Sequence, residues 1–159
     1  TVERLTAFKA WVDELHANDL TQLEEVEVTA DSYRGKASKF SPKMSIDGDF
    51  ETYFATDDSM MFATIEIDLG SIQEISGFII QEYISLGQRV DGYTIECRVD
   101  GEWVEVFSGK KIGFKRIILE GRASAIDKEF KACDGVRLRI ENALACPLIS
   151  TFQVVGDFS

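Results

Sequence analysis

A chain of 159 residues, 45% hydrophobic and 28% charged, can bury about 70% of its unfolded surface in one domain, so it needs no disulfide scaffold. Its net charge of −11 repels phosphate backbones and anionic bilayers, which leaves neutral ligands and cations as the natural partners and argues against nucleic acid. No run approaches the ~20 apolar residues that span a membrane, and with proline limited to Pro42 and Pro147 long disorder is not expected.

From Val2 to Leu15 the apolar residues Leu5, Phe8, Val12 and Leu15 recur at three- and four-residue steps, the period of one amphipathic helix. Thr1 can cap it, Glu3 suits its first turn, and Asn18 is expected to end it in the left-handed conformation. Its stripe must pack on the rest of this domain or on one that precedes it. The chain opens without a charged-then-apolar leader, and Thr1 reads as an interior cut.

After Leu23 the period changes to two, first at Val26 and Val28. Ser32 to Pro42 is polar and reads as a loop. Thr64 to Leu69 alternates with Ile65, Ile67 and Leu69 facing inward and ends at Gly70. Ile75 to Tyr83 is more continuously apolar, as a central strand is. Two alternating runs, Tyr93 to Val99 and Glu102 to Phe107, flank Asp100-Gly101 and predict a hairpin with a type I′ turn, with Trp103 on an inward phase. Lys115 to Glu120, Val136 to Ile140 and Leu148 to Val155 give three more strands. About eight short strands after one helix favour an antiparallel jelly-roll sandwich.

Between these elements, Ile46 to Thr56 crowds Asp47, Gly48, Asp49 and Thr52 into one turn that then enters aromatic residues. Its hard oxygen donors can converge on calcium, although the order is not that of an EF-hand. The alternative is an acidic, solvated turn before a strand. His16 is the only histidine and has no nucleophile to serve. Cys97, Cys133 and Cys146 lack zinc or redox spacing and read as buried free thiols. Asp47, Asp49, Asp57 and Asp58 are the densest carboxylates, but acids on a small sandwich mostly solvate strand faces. Arg89 and Arg116 sit in basic islands that either grip a sugar or pair with Glu82, Glu96 or Glu120 to fix loops. Tyr33, Tyr83 and Phe114 are loop aromatics able to stack on a sugar ring or simply to pack.

Several blocks together carry a family resemblance. Phe40-Ser41-Pro42, Ile46-Asp47-Gly48-Asp49 with Thr52-Tyr53-Phe54-Ala55-Thr56, the strand Thr64 to Gly70, and Ile149-Ser150-Thr151-Phe152 resemble the discoidin, or coagulation factor V/VIII type C, domain, whose fold carbohydrate-binding module family 32 shares. Gln81 to Val90, Gly101 with Trp103, Ile112 to Arg116, Val136 to Ile140 and Ala145 to Ser150 resemble the C-terminal module of family 29 α-L-fucosidases. The resemblance implies an all-β, discoidin-like jelly-roll sandwich of about eight antiparallel strands over residues 21–159, with residues 1–20 as a linker helix from a preceding catalytic domain.

It further implies a non-catalytic module in the same parent chain as a family 29 catalytic domain, secreted, periplasmic or at the cell surface. A structural calcium ion is implied on Met44, Asp47, Asp49, Thr52 and Ser150, with Thr151 where the family commonly has Glu. The partner implied is carbohydrate, a terminal fucose or galactose, bound at loops on one end of the sandwich. Phe54-Ala55 stands where Trp-His is common, so Tyr33, Tyr83, Arg89, Phe114 and Arg116 become the candidate ligand-binding residues. The alternative expectation is a module that buttresses the catalytic barrel and binds no sugar of its own.

Overall fold

The computed structural model describes residues 2–119 and 132–156. Among the described residues, helix α1 (Val2–Ala17) is followed by nine strands: β1 (Glu27–Ala30), β2 (Phe54–Ala55), β3 (Ala63–Gln73), β4 (Ile75–Glu82), β5 (Val90–Val99), β6 (Glu102–Gly109), β7 (Arg116–Leu119), β8 (Cys133–Ala143) and β9 (Leu148–Gly156). Five form one sheet in the order β1-β3-β8-β5-β6, and four form a second in the order β2-β9-β4-β7. Pairing is antiparallel throughout. Segments Ser32 to Pro42 and Pro42 to Ser45 are not featureless loops but carry short 3₁₀ turns.

Alternation of apolar and polar residues fixes which face of each strand turns inward. Ile65, Ile67 and Leu69 of β3, Leu138 of β8 and Ile95 of β5 meet Phe78 and Ile80 of β4 and Phe152 and Val154 of β9, all fully buried. Each such side chain contributes about 1.5–3 kcal/mol, so the contact between the two sheets is the main source of stability. Cys97, Cys133 and Cys146 are buried and free, as expected. A hydrogen bond to Cys133, with burial, pushes the Cys97 thiol up, so it stays protonated.

The β5–β6 hairpin forms as predicted, with Asp100 (φ 52°) and Gly101 (φ 79°) both left-handed, the pair of conformations a type I′ turn requires. Trp103 does not face inward. Ile95 pairs with Phe107 but Glu96 with Glu105, so Val106 is an extra residue that inverts the phase of β6. Phe107 enters the core, while the half-buried Trp103 lies outside between two guanidinium groups, Arg137 at 4.3 Å and Arg98 at 5.5 Å from its ring. Arg137 and Arg139 pair with Glu96 on the same outer face. Strand β3 also runs past Gly70, whose positive φ (78°) and close approach to Glu25 permit a kink rather than an end.

Helix α1 ends differently from expectation. Among the described non-glycine residues only Lys36 and Asp100 take positive φ, so Asn18 stops the helix without the left-handed turn. Its carbonyl accepts the Gly156 N–H at 2.8 Å, and Asp19 bridges to Val155, which ties the helix end to β9. Of the predicted stripe, Leu5 is 70% exposed. The cap Thr1, the side chains of Phe8, Val12, Leu15 and His16, and Glu120 lie outside the described residues.

Candidate functional site

The Asp47 loop is built by its own side chains. Asp49 N–H donates to Asp47 Oδ1 at 3.0 Å, Glu51 N–H donates to Asp49 Oδ1 at 2.9 Å, and Gly48 takes φ 75°. The Thr52 hydroxyl lies between Asp47 Oδ2 and the Asp49 carbonyl, 3.0 Å from the latter. Three of the five predicted metal ligands therefore converge: a carboxylate, a carbonyl and a hydroxyl. Met44 sits in the 3₁₀ turn Pro42–Ser45, which packs against β9 and so brings the segments of Met44 and Ser150 side by side.

Ser150 is left out of the ladder. Gln81 pairs with Thr151 and Glu82 with Ile149, so Ser150 forms a bulge in β9. Among the described residues no group of three or more His, Cys, Asp or Glu is arranged to hold a metal. The donor set here is different, with one carboxylate and otherwise neutral oxygens, and hard oxygens of this kind suit Ca²⁺. Thr151 is buried and pairs with Gln81.

A second assembly occupies one end of the sandwich. Tyr83, after β4, stacks on Tyr53 with ring centroids 4.5 Å apart, and Phe40 follows at 5.6 Å from Tyr53. These three half-buried rings cover Ala55, Cys146 and Leu148. Arg34 lies over Phe40 at 5.2 Å, pairs with Asp58 at 2.9 Å and donates to the Thr56 carbonyl. Arg89 reaches the same place from the start of β5, donating to the Cys146 carbonyl at 2.9 Å. The buried Cys146 thiol thus sits between two guanidinium groups, Arg34 at 2.9 Å and Arg89 at 3.1 Å. Stacked rings, forked donors and the Asp58 carboxylate, 93% exposed, are the chemical groups that a sugar's ring face and hydroxyls match.

Glu82 holds the surrounding loops. It is only 3% exposed, and its carboxylate accepts the N–H groups of Arg89 and Val90 on one oxygen and of Gly113 on the other, each at 2.9 Å. Of the alternatives for Arg89, a side-chain pair with Glu82 is not formed: the contact is through the Arg89 backbone N–H, and the guanidinium reaches Cys146. Arg116 is not paired with Glu96 either. It lies in β7 with its guanidinium 5.8 Å from the Phe107 ring and close enough to the buried Tyr93 hydroxyl to favour the phenolate. Burial pushes the Tyr93 phenol up.

Of the candidate ligand residues, Tyr83 and Arg89 meet in this assembly. Tyr33 lines a neighbouring cleft, Phe114 is 66% exposed on the Gly113 loop, and Arg116 lies apart. Phe40, Tyr53, Arg34 and Asp58 are the participants that sequence reasoning did not select. Arg34 beside Tyr33, and Asp58 within the densest carboxylates, were visible, but only the fold brings residues 34, 58, 89 and 146 together.

Two antiparallel sheets in these strand orders, with the loops gathered at one end, define a sandwich of the discoidin type. The F5/8 type C domain matches residues 27–142, and the chain belongs to that family. It is 31% identical over 134 residues to a provisionally named α-L-fucosidase 1 of Oryza sativa subsp. japonica, covering 82% of this chain and 24% of the relative. Against α-L-fucosidase 1 of Arabidopsis thaliana the identity is 25%, covering 98% of this chain and 30% of the relative. The chain thus spans about a quarter to a third of the length of these curated relatives. A family 29 fucosidase of Ruminococcus gnavus, solved in complex with fucose, superposes with a TM-score of 0.83 at 29% identity, over 99% of this chain and 30% of that one.

Proposed function

We propose that this chain is the carbohydrate-binding accessory module of an exported α-L-fucosidase, recognising a terminal fucose or galactose. The observation that carries the reading is the convergence of Tyr53, Tyr83, Arg34, Arg89 and Asp58 at one loop end of the sandwich. The long relatives named as fucosidases support the parentage, with this chain placed beside a family 29 catalytic domain. Residues 1–20 then serve as the connection to it. In this reading calcium, held by Met44, Asp47, Asp49, Thr52 and Ser150, braces the loop that leads into Tyr53.

Calorimetry with fucosylated and galactosylated oligosaccharides tests the sugar site. Binding at millimolar or lower concentration that Tyr83→Ala or Asp58→Ala weakens by about tenfold supports it. No heat at millimolar sugar overturns it.

A second reading, a buttress for the catalytic domain, is favoured by a separate observation. Ile84, Leu86, Phe114 and Leu144 are 42–72% exposed on three loops. Those loops are joined through Glu82, Gly113 and the Leu144 N–H to Arg89 carbonyl bond. In the longer protein, Leu86→Glu with Leu144→Glu should lower the melting temperature of the catalytic domain. An unchanged melting temperature and activity count against a buttress.

A further inference from the structure

Beside the loop-end assembly lies a cleft of about 580 Å³ lined by Asp31, Ser32, Tyr33, Gly35, Lys36 and Asp57. We infer that it is an extension subsite for the second residue of an uncharged oligosaccharide whose terminal sugar sits against Arg34, Arg89 and Tyr83. The inference rests on the proposed sugar reading and deepens it.

The two sites share a wall. Residues 33–36 and 56–58 are joined by Arg34, which pairs with Asp58 at 2.9 Å and donates to the Thr56 carbonyl at 3.1 Å, facing the loop-end assembly, and by Gly35 N–H to Asp57 Oδ1 at 3.0 Å beside the cleft. Neighbouring residues of the same two segments, Tyr33 with Arg34 and Asp57 with Asp58, thus belong to adjacent sites.

The cleft walls are fixed and their outward groups are unspent. Asp31 uses Oδ1 for the N–H groups of Ser32 and Thr64, and Asp57 uses Oδ1 for Gly35. Among the described residues the Oδ2 atoms of both and the Lys36 ammonium make no hydrogen bond or ion pair. Gly35 (φ 59°) and Lys36 (φ 54°) are consecutive left-handed residues, a turn that fixes where the Lys36 side chain leaves the backbone. A half-buried ring, two acceptors and one donor match a neutral sugar unit. Two carboxylates against one ammonium, on a chain of net charge −11, disfavour sulfated or uronic units.

Calorimetry on this chain in calcium-containing buffer, with L-fucose, D-galactose, 2′-fucosyllactose and a galactose sulfate, tests the inference. The trisaccharide is expected to bind about tenfold more tightly than either monosaccharide, with the sulfated sugar weakest. That ratio should fall toward one in Tyr33→Ala, Lys36→Ala and Asp57→Asn, the last keeping an acceptor for the Gly35 N–H, with melting curves confirming that each variant is folded. Equal affinity for monosaccharide and trisaccharide, or a ratio that the variants leave intact, overturns the extension subsite while the terminal site stands. No binding of any sugar overturns both.

Discussion

At the residue scale, Glu82 shows how one buried charge organises three loops. Its carboxylate is taken out of water but accepts three backbone N–H groups, so removing it orphans three donors rather than one. Glu82→Ala is expected to lower unfolding free energy by ~3 kcal/mol, read from the urea midpoint. A loss below ~1 kcal/mol contradicts the role assigned to it. Trp103 makes the opposite case. Because it lies outside the core, sandwiched by Arg98 and Arg137, Trp103→Ala should cost about 1–2 kcal/mol, against about 3–5 kcal/mol for the fully buried Phe78→Ala. Equal losses in denaturant titrations return Trp103 to the interior.

At the element scale, the Asp47 loop and the β9 bulge at Ser150 form a pair. The loop turns the Asp49 carbonyl toward the Thr52 hydroxyl, and the bulge takes Ser150 out of the ladder register; oxygens of this kind are what a hard cation takes. A bound ion prefers the folded state, so 5 mM chelator should lower the melting temperature. At calcium 100-fold above its Kd the stabilisation is about 2.7 kcal/mol. Asp47→Ala should abolish the difference between calcium and chelator curves. Superposable wild-type curves rule out a structural ion. The bulge at Val106 belongs to the same scale: one inserted residue decides which half of β6 is core and which is surface.

At the scale of the whole molecule, the join between helix and sandwich is sensitive to acid. Burial holds the Asp19 carboxyl above its ordinary value, although it accepts hydrogen bonds from Thr21 and Gln22. A carboxylate raised on folding binds more protons in the folded than in the unfolded state. Stability then falls as pH rises from the ordinary aspartate value through the raised one, and acidification restores it. Asp19→Asn keeps an acceptor for Thr21 and removes that dependence. The difference in melting temperature between wild type and variant should widen in the variant's favour from pH 4 to pH 7. A constant difference contradicts the sign. Through Gln22, whose Nε2 donates to the Ile46 carbonyl at 2.7 Å, the same join touches the Asp47 loop.

Alternation of Ile65, Ile67 and Leu69, the Asp100-Gly101 turn and the oxygen-rich Asp47 loop were all legible in the sequence, because each is set by residues within one strand or turn of each other. Local sterics and the period of two determine such features without knowledge of the partner strand. Tertiary structure alone decided the face of Trp103, since a bulge is a property of two strands paired in register. It alone decided that Arg89 turns to Cys146 while Glu82 turns to the backbone, and that residues 34, 58, 89 and 146 meet. Those contacts span up to 112 residues of chain, and no local propensity encodes a distance that only the closing of two sheets on each other creates.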